Sequence, residues 1–178
     1  MRVLIAYATK HGATEGIAAR IGDGLASAGH DPDVRDAGDM ADLAGYDAFV
    51  LGSAAYIGHW RKEAIELARR LEQERGGRPV WLFSSGPLGE DPTDEQGRDK
   101  RDNAEPGDLP DLLAWVQPRD HRVFFGALDP TSLTLPEKAM RKLPAGKALL
   151  PEGDFRDWDD IDAWAASIAA DLGSRQAT

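Results

Sequence analysis

Residues Arg2-Val3-Leu4-Ile5-Ala6-Tyr7, followed by the loop Ala8-Thr9-Lys10-His11-Gly12-Ala13-Thr14 and a helical stretch reaching Ala28, decide the fold. The first run is nearly all apolar, as strands covered on both faces are. After the loop, Ile17, Ile21 and Leu25 recur at helical spacing. A strand that passes through a short polar loop into a helix builds an anion site. The first N–H groups of a helix have no internal acceptor, and the helix dipole adds about half a positive charge there. Thr9 and Thr14 can add hydroxyl donors, and Gly12 allows close backbone approach or a positive φ. An ordinary β–α turn with a Thr cap would read the same from this loop alone. Neither GxxxxGK followed by Ser or Thr nor GxGxxG is present, so the loop suits a single terminal phosphate better than a pyrophosphate.

Working outward, residues 47–52, 79–83 and 121–125 repeat the buried-strand pattern, and the more polar run 31–35 reads as an edge strand. Between them lie amphipathic stretches. Ala64, Leu67, Ala68 and Leu71 form one apolar stripe ending at Gly76-Gly77, and 108–116 is a shorter candidate. In the last helix Asp157 can cap the start, Ile161, Trp164, Ala165, Ile168 and Leu172 line one face, and Gly173 is the expected stop, with 173–178 as a disordered tail. Strands alternating with helices predict an α/β fold, a doubly wound five-stranded parallel sheet in the order 2-1-3-4-5 with helices on both faces. Ligands in such sheets bind beyond the carboxyl ends of the strands at the switch point, here the loops after strands one, three and four. No repeat or linker divides the chain, so residues 1–178 are expected to form a single domain.

Composition narrows the function further. There is no cysteine, which removes thiol nucleophiles, iron–sulfur clusters, Cys-based zinc sites and disulfides. His11, His30, His59 and His121 lack ligand-like spacing, so no metal is expected. A formal charge of −10 argues against nucleic-acid binding. The opening apolar run is too short for a signal-peptide core or a membrane span, so a cytoplasmic protein without an integral membrane segment is expected.

The loop after the third strand reads Ser53-Ala54-Ala55-Tyr56-Ile57-Gly58-His59-Trp60, and that after the fourth reads Ser84-Ser85-Gly86-Pro87-Leu88-Gly89. Small residues beside aromatics admit a flat ring against backbone, with Tyr56 or Trp60 available to stack and His59 beside them. A phosphate loop plus two such loops describes a site for a mononucleotide with a large planar ring. Here the chain resembles the flavodoxin-like family, whose Thr-x-x-Gly-x-Thr loop stands as Thr9, Gly12 and Thr14. Within that family it looks most like flavodoxin-domain proteins related to menaquinone-dependent protoporphyrinogen oxidase. The segment Gly52 to His59, Phe125-Gly126-Ala127-Leu128 and Phe155-Arg156-Asp157-Trp158 carry that likeness. The resemblance implies FMN, with Thr9, Lys10, His11, Gly12, Ala13 and Thr14 at the phosphate and the backbones of Ser53 to Gly58 and Ser84 to Gly89 at the ring.

Departures limit the likeness. His11 stands where many flavodoxins have a hydroxyl residue, and Lys10 adds a cation; both also read as solvated loop side chains. Residues 129–153, with Lys138, Arg141 and Lys142, correspond to a longer apolar and basic segment in the protoporphyrinogen oxidases. Their shortness weakens a membrane-quinone role. Glu90 to Asp111 is strongly acidic with Pro and Gly throughout, and is expected to be a mobile surface loop, a candidate gate or simply solvated.

The expected function is an FMN-binding oxidoreductase or electron carrier serving a redox partner protein or a small-molecule electron donor or acceptor. Alternatives are a protoporphyrinogen-oxidase-like or quinone-reductase-like enzyme and a cofactor-free interaction module. One carboxylate about 8 Å from a flavin, at a dielectric near 20, disfavours its reduced anion by about 2 kcal/mol or roughly 90 mV. Acids near the ring would therefore give a low potential. A receiver domain would need an aspartate where Leu51-Gly52-Ser53 stand, a serine hydrolase of the α/β type Gly-x-Ser-x-Gly, and phosphatases of similar topology a cysteine.

Overall fold

The computed structural model describes all residues except Ala41, Ile57, Ala177 and Thr178. Five parallel strands form the main sheet: β1 (Arg2–Ala8), β2 (Asp31–Asp36), β3 (Ala48–Tyr56), β5 (Val80–Ser85) and β6 (His121–Phe124), in the order β2-β1-β3-β5-β6. The two-residue strand β4 (His59–Trp60) pairs antiparallel with the end of β3. Set that hairpin aside and the order is the expected 2-1-3-4-5. A second small sheet, β7 (Ala127–Leu128) with β8 (Gly153–Asp154), was not foreseen.

Alternation along the strands divides the core. Val3, Ile5, Val50, Trp81 and Phe83 face α1 (Ala13–Ser27) and α6 (Trp158–Gln176), while Leu4, Phe49, Leu51 and Leu82 face α2 (Lys62–Glu74) and α3 (Leu109–Val116). The apolar stripes anticipated for the helices are the buried ones: Ile17, Ile21 and Leu25 on α1, and Ala64, Leu67, Ala68 and Leu71 on α2. Asp157 caps α6, its carboxylate accepting from the Asp159 and Asp160 N–H groups at 3.1 Å.

One expectation needs correction. Gly173 does not stop α6, which continues to Gln176; one glycine costs a helix only about 1 kcal/mol. Residues 129–153, for which no element was anticipated, form a folded segment. They hold two short helices, α4 (Leu135–Arg141) and α5 (Pro144–Leu149), the former started by a reciprocal capping box between Thr134 and Glu137. The acidic segment 90–111 is folded upon itself. Asp94 accepts from the Gln96 and Arg98 N–H groups, Arg101 pairs with Asp99 and Asp160, and the Gly107 N–H donates to the Gly58 carbonyl at 2.8 Å.

Candidate functional site

The carboxyl ends of β1, β3 and β5 open into a cavity of about 510 Å³. Its position is the switch-point crevice that the topology requires. Among the described residues the buried polar side chains are Thr14, Ser53, Ser84, Ser85 and Glu137, and all five lie at this edge of the sheet or against it. Buried polar groups are the informative kind, since burial costs free energy unless it is compensated.

At the end of β1 the chain turns through Gly12, whose φ of 87° lies in the left-handed region that favours glycine, and enters α1. The Thr9 hydroxyl oxygen accepts from the Gly12 N–H at 2.9 Å and closes the turn. Thr14 is wholly buried, yet its Oγ1 has no partner, and the Nδ1 atom of the part-exposed His11 is buried without one too. Two buried polar atoms and the first amides of a 15-residue helix are thus left unsatisfied beside one cavity.

Opposite them stands Glu137, which the sequence reading missed. Its Oε1 receives the Lys10 ammonium at 2.5 Å and the Tyr56 hydroxyl at 3.2 Å, and lies 3.4 Å from His11 Nε2. Its Oε2 accepts from the Thr134 N–H at 2.9 Å and the Thr134 hydroxyl at 2.8 Å. Burial raises the Glu137 pKa, but the Lys10 hydrogen bond, the Thr134 donors and His11 outweigh it, leaving the carboxyl well below the ordinary range. Burial lowers the Lys10 pKa, but the hydrogen bonds that its ammonium makes with Glu137 and Tyr56 overcome this, so the pKa is raised. The ammonium also sits 3.3 Å from the Tyr56 ring centroid. The signal that could have pointed to it is the local capping-box spacing Thr134-x-x-Glu137; its reach across to Lys10 has no local signal.

The expected site residues divide into four groups. Thr9, Lys10, His11, Ala13, Thr14, Ala54, Ala55, Tyr56, Ser85, Gly86 and Leu88 line the cavity. Gly12 shapes the turn beneath it. Ser53 and Ser84 lie opposite each other in the sheet rather than in loops, because β3 and β5 run further than the apolar runs indicated. The Ser53 oxygen accepts from the Arg61 N–H, and that of Ser84 from Trp60 Nε1 at 2.8 Å. Pro87 contributes its carbonyl to the Gly126 N–H, Gly89 borders a separate hollow, Gly58 is exposed, and Ile57 lies outside the described residues.

Trp60 cannot flank a ligand here. Strand β4 turns it into the core under the sheet, where it is 5% exposed. His59 points outward to Asp108 at 3.2 Å. Gly126, Ala127, Leu128, Met140, Leu149 and Leu150 complete the cavity wall, brought there by the small β7–β8 sheet and the α4–α5 segment. Neither the acidic segment 90–111 nor any carboxylate besides Glu137 is among the described lining residues. No cluster of metal-ligating side chains occurs among the described residues, and no helix among them is long and apolar enough to cross a membrane.

Comparison with known proteins agrees with this architecture. Rubredoxin oxygen:oxidoreductase from the anaerobe Desulfovibrio gigas superposes with a TM-score of 0.61 at 13% identity, over 99% of this chain. This chain spans 37% of the length of that protein. A flavodoxin of Streptococcus pneumonia TIGR4 gives 0.60 at 16% identity, covering 98% of this chain and 99% of its own. Flavodoxin 2 from Bacillus cereus gives 0.56 at 20% identity, with 98% and 99% coverage. No curated protein matches the sequence. The family model for the flavodoxin domain matches residues 4–146, which span the phosphate-type loop, the β3 and β5 ends and Glu137, and the chain therefore belongs to the flavodoxin-domain family.

Proposed function

We propose that this protein binds FMN in the switch-point cavity and works as a flavin-dependent electron-transfer protein or oxidoreductase. The observation that carries the reading is the pair of buried, unpartnered polar atoms, Thr14 Oγ1 and His11 Nδ1, beside the start of α1. They fit a ligand that brings hydrogen-bonding oxygens to this point. The rest of the cavity is chiefly apolar, as a flat ring requires, and its volume falls within the range of cofactor pockets. Ala13, Thr14 and His11 would hold the phosphate; Ala54 to Tyr56 and Ser85 to Leu88 would hold the ring. Bound FMN supplies one- or two-electron transfer, and the protein supplies position and electrostatics.

Mixing the purified protein with FMN tests this directly. At a free ligand concentration about 100 times Kd, stability rises by about 2.7 kcal/mol, and for a chain of this size Tm rises by about 5–10 °C. A protein that neither retains flavin absorbance nor shifts its Tm lacks this function and is an interaction module on the same fold. A second reading, direct action on a small planar molecule as in the quinone-reductase-like and protoporphyrinogen-oxidase-like alternatives, is favoured by the apolar wall of Leu128, Met140, Leu149 and Leu150. Anaerobic reoxidation of the reduced flavoprotein by a soluble quinone, no faster than that of free flavin, would remove it.

A further inference from the structure

Glu137 has no place in a loop built only to receive a phosphate. We infer that its carboxylate is an internal anion that sets the ligand preference of this site, occupying Lys10 and His11 so that a phosphate must take them from it. The inference rests on the FMN reading. Lys10 is the sole Lys or Arg among the described residues lining the cavity, and its charge is matched by a single carboxylate 2.5 Å away. A phosphate dianion arriving at the start of α1 would add two negative charges near a buried third, an arrangement that low-dielectric surroundings penalise. The site consequently gains less from a phosphate than its loop alone would provide.

The two carboxylate oxygens divide the work. Oε2 is committed to the Thr134 N–H and hydroxyl and holds the start of α4, while Oε1 alone meets Lys10, His11 and Tyr56. Glu137→Gln separates these roles. Its carbonyl oxygen can keep the capping box, which accepts Gln as readily as Glu, whereas its amide cannot accept from the Lys10 ammonium. Thr134→Ala does the converse, weakening the cap and sparing the charge.

Fluorescence titration with FMN and with riboflavin, which differ only in the phosphate, reads the effect as a ratio of Kd values. Glu137→Gln is expected to widen the preference for FMN over riboflavin about tenfold, equivalent to about 1.4 kcal/mol. Adding Lys10→Met to Glu137→Gln should abolish the gain, and Thr134→Ala should leave the wild-type ratio in place while lowering Tm. FMN binding with an unmoved or reduced ratio in Glu137→Gln overturns this inference alone. Failure of wild type and variants to bind either flavin overturns the FMN reading, and this inference with it.

Discussion

Thr14 shows how little one residue needs to change to report on the site. Its methyl packs in a fully buried position while its hydroxyl makes no hydrogen bond, so the folded protein carries an uncompensated polar group. Thr14→Val keeps the shape and removes that group. We expect Tm to stay the same or rise, and FMN affinity to fall by about 1 kcal/mol, roughly fivefold, the scale of one hydrogen bond. Calorimetric melts and flavin titration on the same preparation check both halves; an unchanged Kd would show that the hydroxyl does not meet the ligand. Lys10 and His11, by contrast, are explained by Glu137 as much as by any ligand. A lysine beside a phosphate-type loop invites assignment to the phosphate, yet its nearest anion comes from residue 137.

At the level of elements, the sheet edge depends on how closely β3 and β5 approach. Gly52 of β3 is paired with Phe83 of β5, and a Cβ at Gly52 would overlap the Phe83 ring. That ring is held on its other sides by Phe124 and Trp164, with centroids 6.1 Å away in both cases, so it has little freedom to retreat. Gly52→Ala is therefore expected to destabilise the fold by about 1–3 kcal/mol, as overpacking does, and to displace the start of the Ala54 to Tyr56 wall. Urea unfolding gives the first effect and flavin affinity the second; full stability would show that the two strands can separate at no cost. Helices α1, α2 and α6 were legible because their apolar faces repeat at fixed spacing, and the cap of α6 is local. The strand ends were not. Ser53, Ala54 and Ala55 are small and weakly apolar, so nothing in their pattern distinguishes a strand that continues from a loop that begins.

Over the whole molecule, polar chains through the sheet tie acid stability to single residues. Trp60 Nε1 donates to Ser84 Oγ, whose hydroxyl can in turn donate to His121 Nε2 at 3.0 Å, an arrangement that wants a neutral imidazole. Burial lowers the His121 pKa, and Asp120 only partly opposes it. The unfolded chain therefore takes up this proton first as pH falls. The stability His121 contributes is complete above its unfolded value of about 6.5 and is lost as pH drops through the lower folded value. His121→Gln should flatten the decline of Tm just below pH 6.5 relative to wild type; parallel curves would exclude His121 as the source. The charge of −10 has less bearing on the cavity than its size suggests. Glu137 is the single carboxylate among the described lining residues, and Lys10 compensates it, so the low potential expected from surrounding acids has no set of acids at the cavity to act through.

What the sequence determined by itself was periodic or local. Near-continuous apolar runs made buried strands, stripes at i and i+4 made covering helices, and their alternation left one economical topology with its crevice at the β1 loop. Gly12 and Asp157 acted within a few residues of themselves and could be read directly. Only the tertiary structure decided that Trp60 belongs to the core, that α4 and α5 wall the cavity, and that Glu137 meets Lys10 across 127 residues of chain. The reason is physical. A short helix with exposed leucines carries no periodic signal of where it will lie, and the pairing of two opposite charges far apart in sequence depends on packing that neither residue encodes alone.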